Sequence, residues 1–120
     1  MSDPVFDTNI VIDWLRRRPE AFAELERHTR HRRSRVSWTE VLAGEPLDRR
    51  PVVQSLIAGF EMIEPDSGIA LAAVTLGRIG MKLLDAFILA TTQVNGAILI
   101  TRNIRNFSAN MPGIRISYTL

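Results

Sequence analysis

Pro4-Val5-Phe6-Asp7-Thr8-Asn9-Ile10-Val11 is the stretch that decides the fold. An apolar run stops on a carboxylate, and a helical pattern starts just beyond it over Asn9–Leu15, with Ile10, Val11, Trp14 and Leu15 on one face. A short buried strand feeding directly into a helix is the unit from which parallel sheets are built. The same unit recurs outward along the chain. Pro19 breaks the first helix and starts a second over Glu20–His31, with Phe22 and Leu25 inward. Arg35-Val36-Ser37 reads as the second strand, followed by a helix through Glu40 and Leu42 to Gly44. Gly44-Glu45-Pro46 is a turn, Val52–Phe60 a helix and Met62-Ile63 a third strand.

The C-terminal half repeats the alternation. Pro65-Asp66-Ser67 opens a helix over Ile69–Arg78, with Asp66 as its cap, and Lys82–Val94 forms the next. Asn95-Gly96 stops that helix in the left-handed conformation. Ala97–Ile100 is apolar throughout, as a strand covered on both faces requires, and Ile114-Arg115-Ile116 reads as an edge strand. The expected fold is α/β, a single α/β/α sandwich over residues 1–120 with a central parallel sheet, whose sites form at the carboxyl ends of the strands.

Composition narrows the class. The 120 residues are 46% hydrophobic and 23% charged, ordinary values for a globular protein with one core. No run approaches the roughly 20 apolar residues of a membrane span, so no membrane association is expected. Met1-Ser2-Asp3-Pro4 lacks the pattern of a signal peptide, and with no cysteine the chain suits the cytoplasm. Formal charge is only +2, but of 15 basic residues eight lie between Arg16 and Arg35, and all except Lys82 are arginine. Such a cluster is either a solvated helix face, partly neutralised by Glu20, Glu24 and Glu26, or a phosphate-binding surface.

Four polar residues stand where apolar runs stop: Asp7, Glu40, Asp85 and Asn103. Carboxylates beside buried elements are costly unless a positive charge compensates them. With oxygen donors, no cysteine and two histidines, that charge is expected to be a hard divalent cation, and the chemistry metal-dependent phosphodiester hydrolysis. Each residue also has a structural reading. Asp7 can cap the first helix, Glu40 can be an exposed helix residue, and Asp85 can pair with Lys82. Asp85 is the hardest to explain structurally, because Met81–Ala90 is apolar nearly all round. Asp13, His28 and His31 read as surface residues.

These residues fall in four segments that resemble the motifs of PIN domains. They are Asp7-Thr8-Asn9, Val36–Gly44 centred on Glu40, Leu84–Thr92 containing Asp85, and Gly96–Phe107 ending in Thr101-Arg102-Asn103-Ile104-Arg105-Asn106-Phe107. The resemblance spans essentially the whole chain and is closest to VapC-type toxins of toxin–antitoxin pairs. It implies a PIN-like fold, a Mg²⁺- or Mn²⁺-dependent endoribonuclease, a homodimer, and silencing by a VapB-type antitoxin. It also implies Asp7, Glu40 and Asp85 as the acidic metal ligands, with Thr8, Asn9, Thr101 and Asn106 in support. The family often carries an acid at Asn103 or Asn106; both are amides here. Arg30, Arg32 and Arg33 are expected to contact RNA. A weakly active or inactive PIN domain, serving as an RNA- or antitoxin-binding module, is the main rival. A phosphoacceptor receiver would want an acidic neighbour for Asp7, and a nucleotide-binding module a Gly-rich phosphate loop; neither is present.

Overall fold

The computed structural model describes residues 3–108 and 110–120, so Met1 and Ser2 of the N-terminal reading lie outside the described residues. β1 (Pro4–Phe6), β2 (Arg32–Ser34), β3 (Glu61–Ile63), β4 (Ile98–Thr101) and β5 (Ile114–Ile116) form one sheet in the order β3-β2-β1-β4-β5, with every pairing parallel. The helices between them are α1 (Thr8–Leu15), α2 (Pro19–Glu26), α3 (Arg35–Ala43), α4 (Arg50–Ile57), α5 (Ser67–Arg78) and α6 (Leu83–Val94).

Alternation along the strands builds the three layers. Val5 and Leu99 are register partners, and both pack on Ile69 and Ala73 of α5 and Ala86 and Leu89 of α6. Phe6 and Ile100, the next pair, face the other way onto Ile10, Val11, Val41, Val53 and Ile57. This is why the β1 and β4 stretches read as apolar runs. Gly96 holds φ +59 after α6 and Asp66 accepts from the Ile69 N–H at 2.8 Å, as the turn and cap signals indicate. Chain order reverses at β1, whose next strand lies on one side while β4 and β5 lie on the other. The crevice between β1 and β4 is therefore the switch point at which α/β sheets place their sites.

Three sequence expectations change. The second strand is Arg32–Ser34, not Arg35-Val36-Ser37, and Arg35 already begins α3. Ser34 ends the strand and caps the helix, its Oγ accepting from the Ser37 N–H at 3.2 Å. Two arginines obscure this strand because they read as surface charge. The second helix stops at Glu26 rather than His31, and Phe22 lies 41% exposed at the surface. His28 and His31 are half-buried instead of surface residues, their rings edge-on to Phe6 at 5.7 and 5.6 Å.

Candidate active site

Asp7 is the first residue past β1, and its N–H still donates across the sheet to the Ile100 carbonyl at 2.9 Å. That bond fixes the backbone at the strand end. The side chain caps α1, with Oδ1 accepting from the Thr8 N–H at 2.8 Å, while Oδ2 accepts from the Thr101 hydroxyl at 2.7 Å. The capping role and a place among the site acids therefore coexist. Asp7 is only 4% exposed. Burial pushes its carboxyl up, the bonds from Thr101 and Thr8 pull it back, and the charges of Asp85 and Glu40 add to the rise, leaving it at about 6.

Glu40 reaches the same place from α3, two turns past the Ser34 cap, and its Oε1 accepts from the Thr8 hydroxyl at 2.7 Å. Ser37, one turn earlier, lies 3.0 Å from the same hydroxyl. A hydroxyl has one proton, so Thr8 donates to the Glu40 carboxylate and accepts from Ser37. Ser37 was not singled out in the sequence, yet it sits i−3 to Glu40 on one helix face, which is the signal that finds it.

Asp85 lies in the first turn of α6, not inside a buried helix. Leu83 and Leu84 beside it are exposed, Ala86 is the first buried residue, and burial is continuous only from Ile88. Burial raises its carboxyl, while Lys82 and Asn106 oppose the rise. Among the described residues no Lys82–Asp85 ion pair forms; the close partner is Asn106, whose Nδ2 donates to Oδ2 at 2.7 Å.

The two asparagines of the fourth segment do different work. Asn103 Oδ1 accepts from the N–H groups of Arg105 and Asn106 at 3.1 and 3.2 Å, and its own N–H donates to the Thr101 hydroxyl at 3.0 Å. Asn103 thus shapes the turn that presents Asn106 to Asp85. Asn9 supports the same turn with long bonds, from Nδ2 to Thr101 at 3.5 Å and to Oδ1 from the Arg102 N–H at 3.4 Å.

Thr8, Glu40, Lys82, Asp85, Asn103 and Asn106 line one cleft of about 450 Å³, and the charges of Glu40 and Asp85 act on the buried Asp7 carboxyl. Among the described residues no three His, Cys, Asp or Glu side chains form a ready-made metal cage. The donor set nonetheless suits Mg²⁺ or Mn²⁺: hard oxygens, mutually repelling carboxylates, and a desolvated acid whose charge is uncompensated.

The arginine cluster lies elsewhere. Arg33 is 2% exposed, with Nη2 donating to the Ile57 carbonyl at 3.0 Å, and Arg32 is 8% exposed, with Nη2 donating to the Asp3 carbonyl at 3.3 Å. Arg30 is at the surface but grips Glu61 through Nε and Nη2, at 2.9 and 2.8 Å, and Asp3 at 2.7 Å. Those partners begin β3 and precede β1, so Arg30 sits at the amino ends of the strands, opposite the acidic cleft. Of the three residues expected to contact RNA, two are therefore buried and the third is engaged by carboxylates on the far side from the cleft. Lys82 lines the acidic cleft and Arg105 an adjoining one that also contains Asp85, while Arg16 and Arg49 share a third with Glu40. Asp13, read as a surface residue, is 1% exposed and takes hydrogen bonds from Arg102 Nε at 2.5 Å and the Tyr118 hydroxyl at 2.7 Å. Its position three residues after buried Ile10 is the signal that places it inward.

A parallel α/β/α fold with one acid at the carboxyl end of β1 and two more brought to it from α3 and α6 defines a class of acidic-cleft domain. The chain belongs to the PIN-domain family, whose model matches residues 5–110. It is similar to a chain of a toxin–antitoxin complex from Klebsiella pneumoniae, at 35% identity and TM-score 0.91 over 98% of this chain and 100% of that one. It shares its fold with chains of DNA-bound VapBC from Salmonella typhimurium (24% identity, TM-score 0.77, 96% of each chain) and of VapBC-1 from nontypeable Haemophilus influenzae (21%, 0.70, 87% and 89%). No curated protein matches the chain. No described helix is long and apolar enough to cross a membrane.

Proposed function

We propose that this chain, as one domain over residues 1–120, is a metal-dependent endoribonuclease acting in the cytoplasm as the toxin of a type II toxin–antitoxin pair. The observation that carries the reading is the meeting of Asp7, Glu40 and Asp85 around one cleft in a chain of the PIN-domain family. Asp7, Glu40 and Asp85 would hold Mg²⁺ or Mn²⁺, Glu40 through water. When bound, the cation neutralises the acids, activates water and stabilises charge on the phosphate. The chain's own groups then orient the acids. Thr101 and the Thr8 N–H fix both oxygens of Asp7, the Thr8 hydroxyl fixes Glu40, and Asn106 fixes Asp85. Asn103 and Asn106 bring no charge, so a second cation would bind weakly. That lack of charge is what motivates the runner-up, a PIN domain that binds RNA or antitoxin with little cleavage.

Two further elements of the reading have support. Leu71 and Val74 on α5 and Leu83 and Leu84 on α6 are exposed apolar residues, suited to a homodimer. A VapB-type antitoxin is the expected inhibitor, given the toxin–antitoxin complexes among the structural relatives. The deciding experiment incubates the purified chain with single-stranded RNA, with and without Mn²⁺. Cleavage that stops on chelation supports the nuclease, and RNA binding without cleavage supports the binding module. Co-purification with a small partner from a native host tests the toxin assignment.

A further inference from the structure

A second cleft, of about 320 Å³, adjoins the acidic one, and the two share Lys82, Asp85 and Asn106 as a common wall. Its other lining divides by chemistry. Ile79, Met81 and Met111 supply an apolar surface, and Arg105 supplies a cation. Among the described residues the side chains of Lys82 and Arg105 make no ion pair and no hydrogen bond, whereas Arg30, Arg35, Arg102 and Arg115 are all engaged by carboxylates. What sets these two apart is their place beside Asp85, where Lys82 acts on the carboxyl through its charge alone. Gly80 holds φ +102 at the rim, which turns the chain between α5 and α6 so that Met81 and Lys82 enter the cleft.

A polynucleotide matches this pattern: one negative charge per nucleotide, and an apolar ring between charges. A nucleotide chain with its scissile phosphate at Asp85 must place a neighbouring nucleotide either in the main cleft or across the Asp85–Asn106 wall. We propose that the second cleft is the subsite for the nucleotide adjoining the scissile phosphate of single-stranded RNA. Arg105 and Lys82 take its phosphate, and Met81, Met111 and Ile79 take the face of its base. Duplex RNA does not fit, because its bases are stacked and paired and cannot enter. This subsite rests on the nuclease reading above and replaces Arg30, Arg32 and Arg33 as the RNA contact.

The test uses the full chain, Mn²⁺ and a fluorescent single-stranded RNA, measuring KM at several salt concentrations. Arg105→Gln is expected to raise KM about tenfold and to lower the salt slope by about one phosphate contact. Its side chain is exposed and makes no hydrogen bond or ion pair among the described residues, so the variant is expected to fold, which circular dichroism checks. Arg27→Gln, on the opposite end of the sheet, is expected to leave both values at the parental level. An RNA with an abasic nucleotide beside the cleavage site should bind the parent more weakly, and Met111→Ser should lose that discrimination. If the parent cleaves RNA and Arg105→Gln keeps its KM and salt slope, the subsite is overturned and the nuclease stands. If the parent cleaves no RNA, both fall. If Arg105→Gln weakens only a co-purifying protein partner, the cleft is a protein contact and the subsite is overturned.

Discussion

Asn106 donates from Nδ2 to Asp85 Oδ2 at 2.7 Å, while the Asn103 side-chain Oδ1 is occupied by two backbone N–H groups. The two amides of the fourth segment are thereby ranked. Only Asn106 touches a candidate metal ligand.

Asn106→Asp should therefore behave differently from Asn103→Asp. A carboxylate at 106 would face that of Asp85 directly, raising the cost of both charges in metal-free protein. Its melting temperature without metal should fall below the parent, and added Mn²⁺ should recover more stability than it gives the parent. Asn103→Asp keeps the capping oxygen and should show a smaller metal response. Equal Mn²⁺-induced shifts in the two variants would contradict this ranking.

Asp85→Asn keeps shape and removes charge at a partly buried helix start, so the fold should persist. RNA cleavage should drop by at least about 100-fold, the scale on which metal-site groups act. Far-ultraviolet circular dichroism checks the fold, and gel analysis of a labelled RNA checks cleavage. Metal-dependent cleavage at the parental rate would remove Asp85 from the site.

Asp7 carries a pH dependence of definite sign. Its carboxyl stands at about 6 in the fold against an ordinary 3.8, chiefly through burial, so the folded chain holds this proton more tightly than the unfolded chain. Its contribution to metal-free stability is greatest below pH about 4 and declines as pH rises to about 6. At 1.36 kcal/mol per pH unit the total is about 3 kcal/mol. Metal competes for the same oxygens, so Mn²⁺ affinity should rise across that window. Chemical denaturation between pH 4 and 7, with chelator and with Mn²⁺, reads both effects. A metal-free stability contribution rising over that range in the parent relative to Asp7→Asn would reverse the sign.

Thr101→Val removes the hydroxyl that holds Asp7 Oδ2 and accepts from the Asn103 N–H. Cleavage should fall about 10- to 100-fold, as for other groups that orient metal ligands. Because that bond opposes the rise of the Asp7 carboxyl, the acid limb of the pH–rate profile should move to higher pH. A slower enzyme with an unmoved profile would make Thr101 purely structural.

Removing Asp13 strands Arg102, which is partly solvated at 30% side-chain exposure. Asp13→Ala should cost about 3 kcal/mol, the low end for breaking a buried pair. Adding Arg102→Gln should return part of that loss, measured by urea denaturation as a double-mutant cycle.

Local physics sufficed for much of this protein. Pro4–Phe6 and Ala97–Ile100 announce themselves as buried strands because both faces are covered, and Asp66 and Gly96 mark helix ends through bonds made within a few residues. The spacing of Asp7, Glu40 and Asp85 at the ends of apolar runs exposed the candidate acids. What the sequence could not decide is which polar groups face inward. Arg32 and Arg33 form a strand because β1 and β3 pair with it, and strand pairing depends on residues about 30 positions away. Asp13 is interior because Arg102 and Tyr118 come to it across some 90 and 105 positions. Asn106 rather than Asn103 meets Asp85 because a turn held by the Asn103 side-chain oxygen points it there. Burial of a charge is worth its cost only when a distant partner arrives, and that is set by tertiary structure alone.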